Sequence, residues 1–241
     1  MKRDREHGSF STTRWTLVLR AGGAGGSSSE TAWQNLCKIY WYPLYAYARR
    51  NGATTEDAED IVQGFLLSLF ERQDLNRVSP EKGRFRSFLL ASLKHYISHA
   101  ADKARTLKRG GAAPLLSLDW AEAGARFEIS DTSSGTPDEL YDREWALALL
   151  QNVLERLRTE WQAKNREALF DLLQIFLTVD RDDAKYAETA ASHGFSETYL
   201  RVNTHRLRQR YRELLREEIG QTLKNRDMIE DEMQALFQAF S

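Results

Sequence analysis

Apolar residues along this chain recur three or four positions apart, the period of a helix seated on a core. The alternating pattern of half-buried strands is nearly absent, as are hairpin turns, so the expected fold is all-α. The periodicity breaks the chain into blocks. A short helix with Trp15 and Val18 is expected over 12–20, followed by a flexible Gly/Ser stretch from Gly22 to Ser29. A helical block runs over 30–110, interrupted at Asn51-Gly52 and near Ser79-Pro80, with Pro43 kinking its first helix or starting a new one. Residues 111–137 lose the period and read as a linker, with Leu115, Leu116, Leu118 and Trp120 free to dock. A second helical block occupies 138–220. A tail over 221–241 carries Ile229, Met233, Leu236, Phe237 and Phe240 on one side of an amphipathic segment. The expected architecture is two small helical domains, 30–110 and 138–220, joined by a flexible linker, with an N-terminal extension over 1–29.

The most informative stretch is 184–216. A helical pattern ends at Gly194, which is suited to the positive φ of a helix C-terminus. Ser196 then stands where an N-cap belongs, with Glu197 in the first turn of a second helix reaching about Ile219. Leu200, Leu207, Tyr211 and Leu214 share the inward face of that helix. Residues 201–216 hold six arginines and one acidic residue, Glu213. Arginine's planar fork matches phosphates and guanine edges in a way lysine cannot. Helix, tight turn and cationic helix make a helix-turn-helix, which sets its second helix in the DNA major groove. Ser196, Thr198, Arg201, Val202, His205, Arg206, Arg208 and Arg212 are the candidate DNA contacts. Arg201, Val202, His205 and Arg206 are placed for base edges, Arg208 and Arg212 for phosphate. Thr189, His193 and Asn203 occupy positions that aliphatics usually fill, so polar partners must meet them.

Two other stretches segregate charge. Over 54–74, Glu56, Asp57, Glu59, Asp60, Glu71 and Asp74 face a single arginine. Thr54 or Thr55 caps a helix there, burying Ala58, Ile61, Val62, Phe65 and Leu69. Glu56, Glu59, Asp60, Gln63 and Leu67 point away, an apolar anchor within a charged rim that fits a protein partner. Over 82–109, eight Lys or Arg side chains stand against Asp102 alone. They alternate with Phe85, Phe88, His95, Tyr96 and His99, and cations interleaved with aromatic faces suit unpaired bases on a phosphate track. The candidates are Arg84, Arg86, Lys94, His95, Tyr96, Ser98, Lys103 and Arg105.

Whole-chain composition changes this picture little. The net charge of −1 does not advertise nucleic acid, so the basicity that matters is local. Cys37 is the one cysteine, which excludes an internal disulfide and fits a reducing compartment. No apolar run reaches membrane-spanning length and no signal-peptide pattern opens the chain, so a cytoplasmic location with no membrane partner is expected. His95 and His99 lack a third ligand at suitable spacing, and the carboxylates of 54–74 sit on one helix. No metal, cofactor or catalytic residue is expected, and the chain is read as a non-enzyme.

Taken together these stretches resemble the extracytoplasmic-function sigma factors, small members of the sigma-70 family of bacterial RNA polymerase subunits. Tyr40-Trp41-Tyr42-Pro43-Leu44-Tyr45 and Asp57-Ala58-Glu59-Asp60-Ile61-Val62-Gln63 resemble the helices that bind core polymerase. Lys82-Gly83-Arg84-Phe85-Arg86-Ser87-Phe88-Leu89 and the basic run to Arg109 resemble the promoter-melting part, and 184–216 the upstream promoter reader. The resemblance covers about 30–220 and departs at Phe88 and His95, where many members carry Trp and Asn. It implies a subunit that binds core RNA polymerase and promoter DNA, reads two promoter boxes, helps open the duplex, and answers to an anti-sigma factor or other inhibitory protein. Read from the residues alone, a helix-turn-helix regulator acting without polymerase explains 184–216 but leaves the other two stretches idle. A metal-dependent nuclease would need carboxylates converging from several elements.

Overall fold

The computed structural model describes residues 27–71, 85–103, 118–130, 135–177, 183–220 and 229–240. Among these the chain is helical throughout, with nine α-helices and no strand. The expected helix over 12–20, the break near Ser79-Pro80 and the residues Leu115 and Leu116 lie outside the described residues. The helices fall into two compact units, Met1–Ala146 with Gly220–Ser241, and Leu147–Ile219.

The first unit begins with α1 (Ser27–Arg50), which runs unbroken through the buried Pro43, so that proline starts no new helix. Trp33, Leu36, Cys37, Tyr40, Leu44, Tyr45 and Ala48 lie inward at helical spacing. Burial pushes the Cys37 thiol well above its ordinary value, consistent with an inert apolar side chain. Gly52 closes α1 with φ +96, its N–H bonding Arg49 O at 3.0 Å while Ala53 N–H bonds Ala48 O at 3.1 Å. This is the left-handed closure that spends a helix's last carbonyls. Next comes α2 (Thr55–Glu71), capped by Thr54, whose Oγ1 accepts Asp57 N–H at 3.1 Å. On its inner side Ala58, Val62, Phe65, Leu66 and Leu69 are buried, while Ile61 is only half-buried. The third helix, α3 (Phe85–Lys103), inserts Phe85, Leu89 and Leu93.

The stretch expected as a flexible linker contains a helix, α4 (Trp120–Ser130). Asp119 caps it, accepting Glu122 N–H at 2.9 Å. Trp120 meets Trp41 edge-on at 5.3 Å, and the Arg126 guanidinium lies 3.8 Å over the Tyr42 ring. That guanidinium also pairs with the buried Glu144 at 2.5 Å. Aromatic docking against α1, not local periodicity, orders this helix.

Residues Thr136 to Glu139 form a reciprocal cap: Thr136 N–H bonds Glu139 Oε2 at 2.7 Å and Glu139 N–H bonds Thr136 Oγ1 at 3.2 Å. It opens α5 (Pro137–Gln162), whose residues through Ala146 count with the first unit and the remainder with the second. The boundary thus falls inside a helix, not in the expected linker. The tail helix α9 (Ile229–Gln238) belongs to the first unit and completes it. Its buried side is Glu232, Met233 and Leu236; of the expected apolar side, Phe237 and Phe240 are exposed.

The second unit contains the rest of α5, then α6 (Glu167–Leu173) with a 3-10 turn Gln174–Phe176, α7 (Asp183–His193) and α8 (Glu197–Gly220) up to Ile219. Its core is Leu149, Val153, Leu157, Phe170, Leu173, Phe176, Leu200, Leu207 and Leu214, with Phe176 stacked on Tyr186 at 4.2 Å. The inward face expected for α8 is present, except that Tyr211 is half-buried and donates its hydroxyl to Leu150 O at 3.2 Å. Burial pushes the Tyr211 phenol up to about 12.

Candidate nucleic-acid interface

Three residues, Gly194, Phe195 and Ser196, join α7 to α8. Gly194 takes φ +69, and Phe195 N–H bonds Ala190 O at 3.1 Å. A Cβ added to Gly194 meets open space, so this glycine serves its torsion and not a close approach of helices. Ser196 caps α8, its Oγ accepting Tyr199 N–H at 3.2 Å. Asn203 is buried and donates to Tyr199 O at 2.8 Å. Thr189 is half-buried, and His193 is exposed with Nδ1 3.1 Å from Thr189 O. Local backbone carbonyls therefore meet two of the three side chains that stand in aliphatic positions.

The outward arc of α8 presents Thr198, Val202, His205, Arg206 and Arg212, all exposed. Arg201 lies at its edge, its guanidinium 4.7 Å from the Tyr186 ring centre and 3.4 Å from Glu197. Arg208 is a correction. Its Nε and Nη2 donate to Phe176 O at 2.9 and 2.6 Å, so the fork assigned to phosphate ties α8 to the 3-10 turn. Arg210 likewise serves the unit, bonding Glu160 at 2.8 and 2.9 Å. Those bonds hold the Glu160 carboxyl below its usual range. Sequence reasoning overlooked Phe195 and Tyr199. Their rings stack 5.3 Å apart at 14°, with 41% and 37% of each residue exposed. Their i, i+4 spacing beside the glycine turn was the available signal.

In the first unit the basic aromatic segment divides. Arg86, expected to track DNA, is 8% exposed. It pairs with Asp142 and, at 2.9 Å, with the buried Glu232, while its guanidinium sits 4.5 Å from the Trp145 ring centre. Tyr141 donates its hydroxyl to Arg86 O at 3.0 Å. An arginine so enclosed is core, and its assignment to DNA is withdrawn. Tyr96 is half-buried, edge-on to Phe65 at 5.7 Å. Its hydroxyl stands where a Cβ on Gly64 would be, which explains a glycine in mid-helix. Lys94, His95 and Ser98 do share an exposed face of α3. Lys94 pairs with Asp138 at 2.5 Å, a bond that holds its ammonium above its ordinary value. The His95 and His99 rings touch through Nε2 at 3.0 Å. Arg84 and Arg105 lie outside the described residues, as does the Lys103 side chain.

On α2, Glu56 and Asp60 are exposed, and Glu59, Gln63 and Leu67 are half-buried along one side. Leu67 is thus less prominent than its wheel position implies. Among the described residues no group of three or more His, Cys, Asp or Glu converges as a metal site, and no helix is long and apolar enough to cross a membrane. Compared with protein-family models, curated proteins and solved structures, the chain matches none.

Proposed function

We propose that this chain is a sigma factor: a subunit that binds core RNA polymerase and directs it to promoters. In this reading α7, the Gly194 turn and α8 act as a helix-turn-helix, with Arg201, Val202, His205 and Arg206 at base edges and Arg212 on phosphate. The observation that carries the reading is the outward arc of α8. It is cationic and exposed, and it follows a turn fixed by Gly194 and capped by Ser196. The α2 side bearing Glu56, Glu59, Asp60, Gln63 and Leu67 binds polymerase, with Leu67 as anchor. Lys94, His95 and Ser98 on α3 receive opened DNA downstream, helped by Tyr96 only if it leaves Phe65.

Run-off transcription tests this. Core polymerase supplied with the full chain and a promoter library is expected to start at discrete sites that core alone ignores. A chain that neither co-purifies with core nor redirects its starts is not a sigma factor. Leu67→Glu is expected to abolish co-purification while leaving the helical content unchanged.

A further inference from the structure

Val202 is the one aliphatic side chain at the centre of the α8 outward arc. It is 43% exposed, with the stacked Tyr199 one turn before it and His205 and Arg206 one turn after. A β-branched residue is a mediocre helix former, and an outward helix position ordinarily carries a long polar chain. Val202 is exposed, and its side chain can neither donate nor accept a hydrogen bond. Pressed against a polar base edge, it would strip donors and acceptors of water without replacing it. The major groove offers one apolar group on its base edges, the C5-methyl of thymine. Charge complementarity names the occupant, because the exposed His205 and Arg206 beside Val202 suit the anionic groove.

Resting on the sigma-factor reading, we infer that Val202, with Tyr199 beside it, reads a thymine methyl in the upstream promoter box. This residue then sets specificity by an apolar contact, while the neighbouring arginine reads purines. Such a reader discriminates against cytosine, whose major-groove edge carries a bare C5–H in place of thymine's methyl and an amino donor in place of its carbonyl.

The test uses the full chain bound to core polymerase. An upstream box is first selected from random duplex DNA, then each thymidine in it is replaced in turn by deoxyuridine, which removes the methyl alone. At one position uracil is expected to weaken binding about fourfold, the worth of one buried methyl. The exposed substitution Val202→Ala is expected to bind both duplexes equally, at the weaker level, with unchanged thermal stability. Arg206→Ala weakens both duplexes but keeps their ratio. The inference is overturned if no thymidine responds, or if Val202→Ala retains the full preference. A holoenzyme that selects no box at all removes the sigma-factor reading, and this inference with it; a selected box indifferent to methyls removes the inference alone.

Discussion

Helices α3 and α8 look alike in sequence, each strewn with cations among aromatic and apolar residues, yet they place their arginines differently. At the start of α3, Arg86 is enclosed by Asp142, Glu232 and Trp145 and acts as core. On α8 the labour is divided. Arg208 and Arg210 bind the unit's own carbonyl and carboxylate, while Arg206 and Arg212 face out. A cation's role follows from the acceptors that tertiary structure brings to it, not from the company it keeps along the chain. A buried guanidinium needs its carboxylates, because an unpaired charge in the interior costs several kcal/mol.

The largest expected effect tests the enclosed arginine. Arg86→Ala, or truncation after Thr222 to remove α9, strands one member of a buried ion pair. Either is expected to cost about 3–5 kcal/mol of stability, read by chemical denaturation. A truncated chain of unchanged stability that transcribes better would make α9 a cover and not part of the core. On α8, Arg206→Ala is expected to leave stability within about 0.5 kcal/mol. In the proposed sigma-factor reading it should cost about 1–3 kcal/mol of discrimination at one base step, measured by anisotropy on matched and mismatched duplexes. Equal loss on every sequence would make it a phosphate contact. Arg208→Ala should do the opposite, losing about 1–3 kcal/mol of stability through the orphaned Phe176 carbonyl, with no base-specific change.

The smallest effect concerns pH. Because Arg210 lowers the folded-state value of Glu160, the pair's contribution is complete above the unfolded carboxylate range of about 4.3. It is lost as the pH falls from there through the lower folded value. Glu160→Gln should therefore flatten the acid limb of a stability–pH curve. Both side chains are partly solvated, so the change is modest. An unaltered acid limb would show the pair to be energetically silent.

What the sequence revealed was local. The inner face of α8, the closure at Gly194 and the caps Thr54 and Ser196 all rest on residues within one turn of each other, where spacing alone fixes geometry. What it concealed was distant. Glu232 is the partner of Arg86 across 146 positions. Trp120 orders α4 only by meeting rings on α1, and the Phe176 carbonyl that takes Arg208 lies on a 3-10 turn with no periodic signature. The apolar side of the tail groups Phe237 with Met233 and Leu236, yet Phe237 is exposed, and Glu232, paired with the buried Arg86, lies inward.

The first unit is discontinuous: its core draws on α1 to α4 and the start of α5, and again on α9 after all of 147–219 has intervened. During synthesis from the N-terminus the inner segment is therefore complete before the outer one has its last helix. Until Glu232 leaves the ribosome, Arg86 has only one of its carboxylates. At that stage the first unit still lacks its last helix, while every residue of the second has been made.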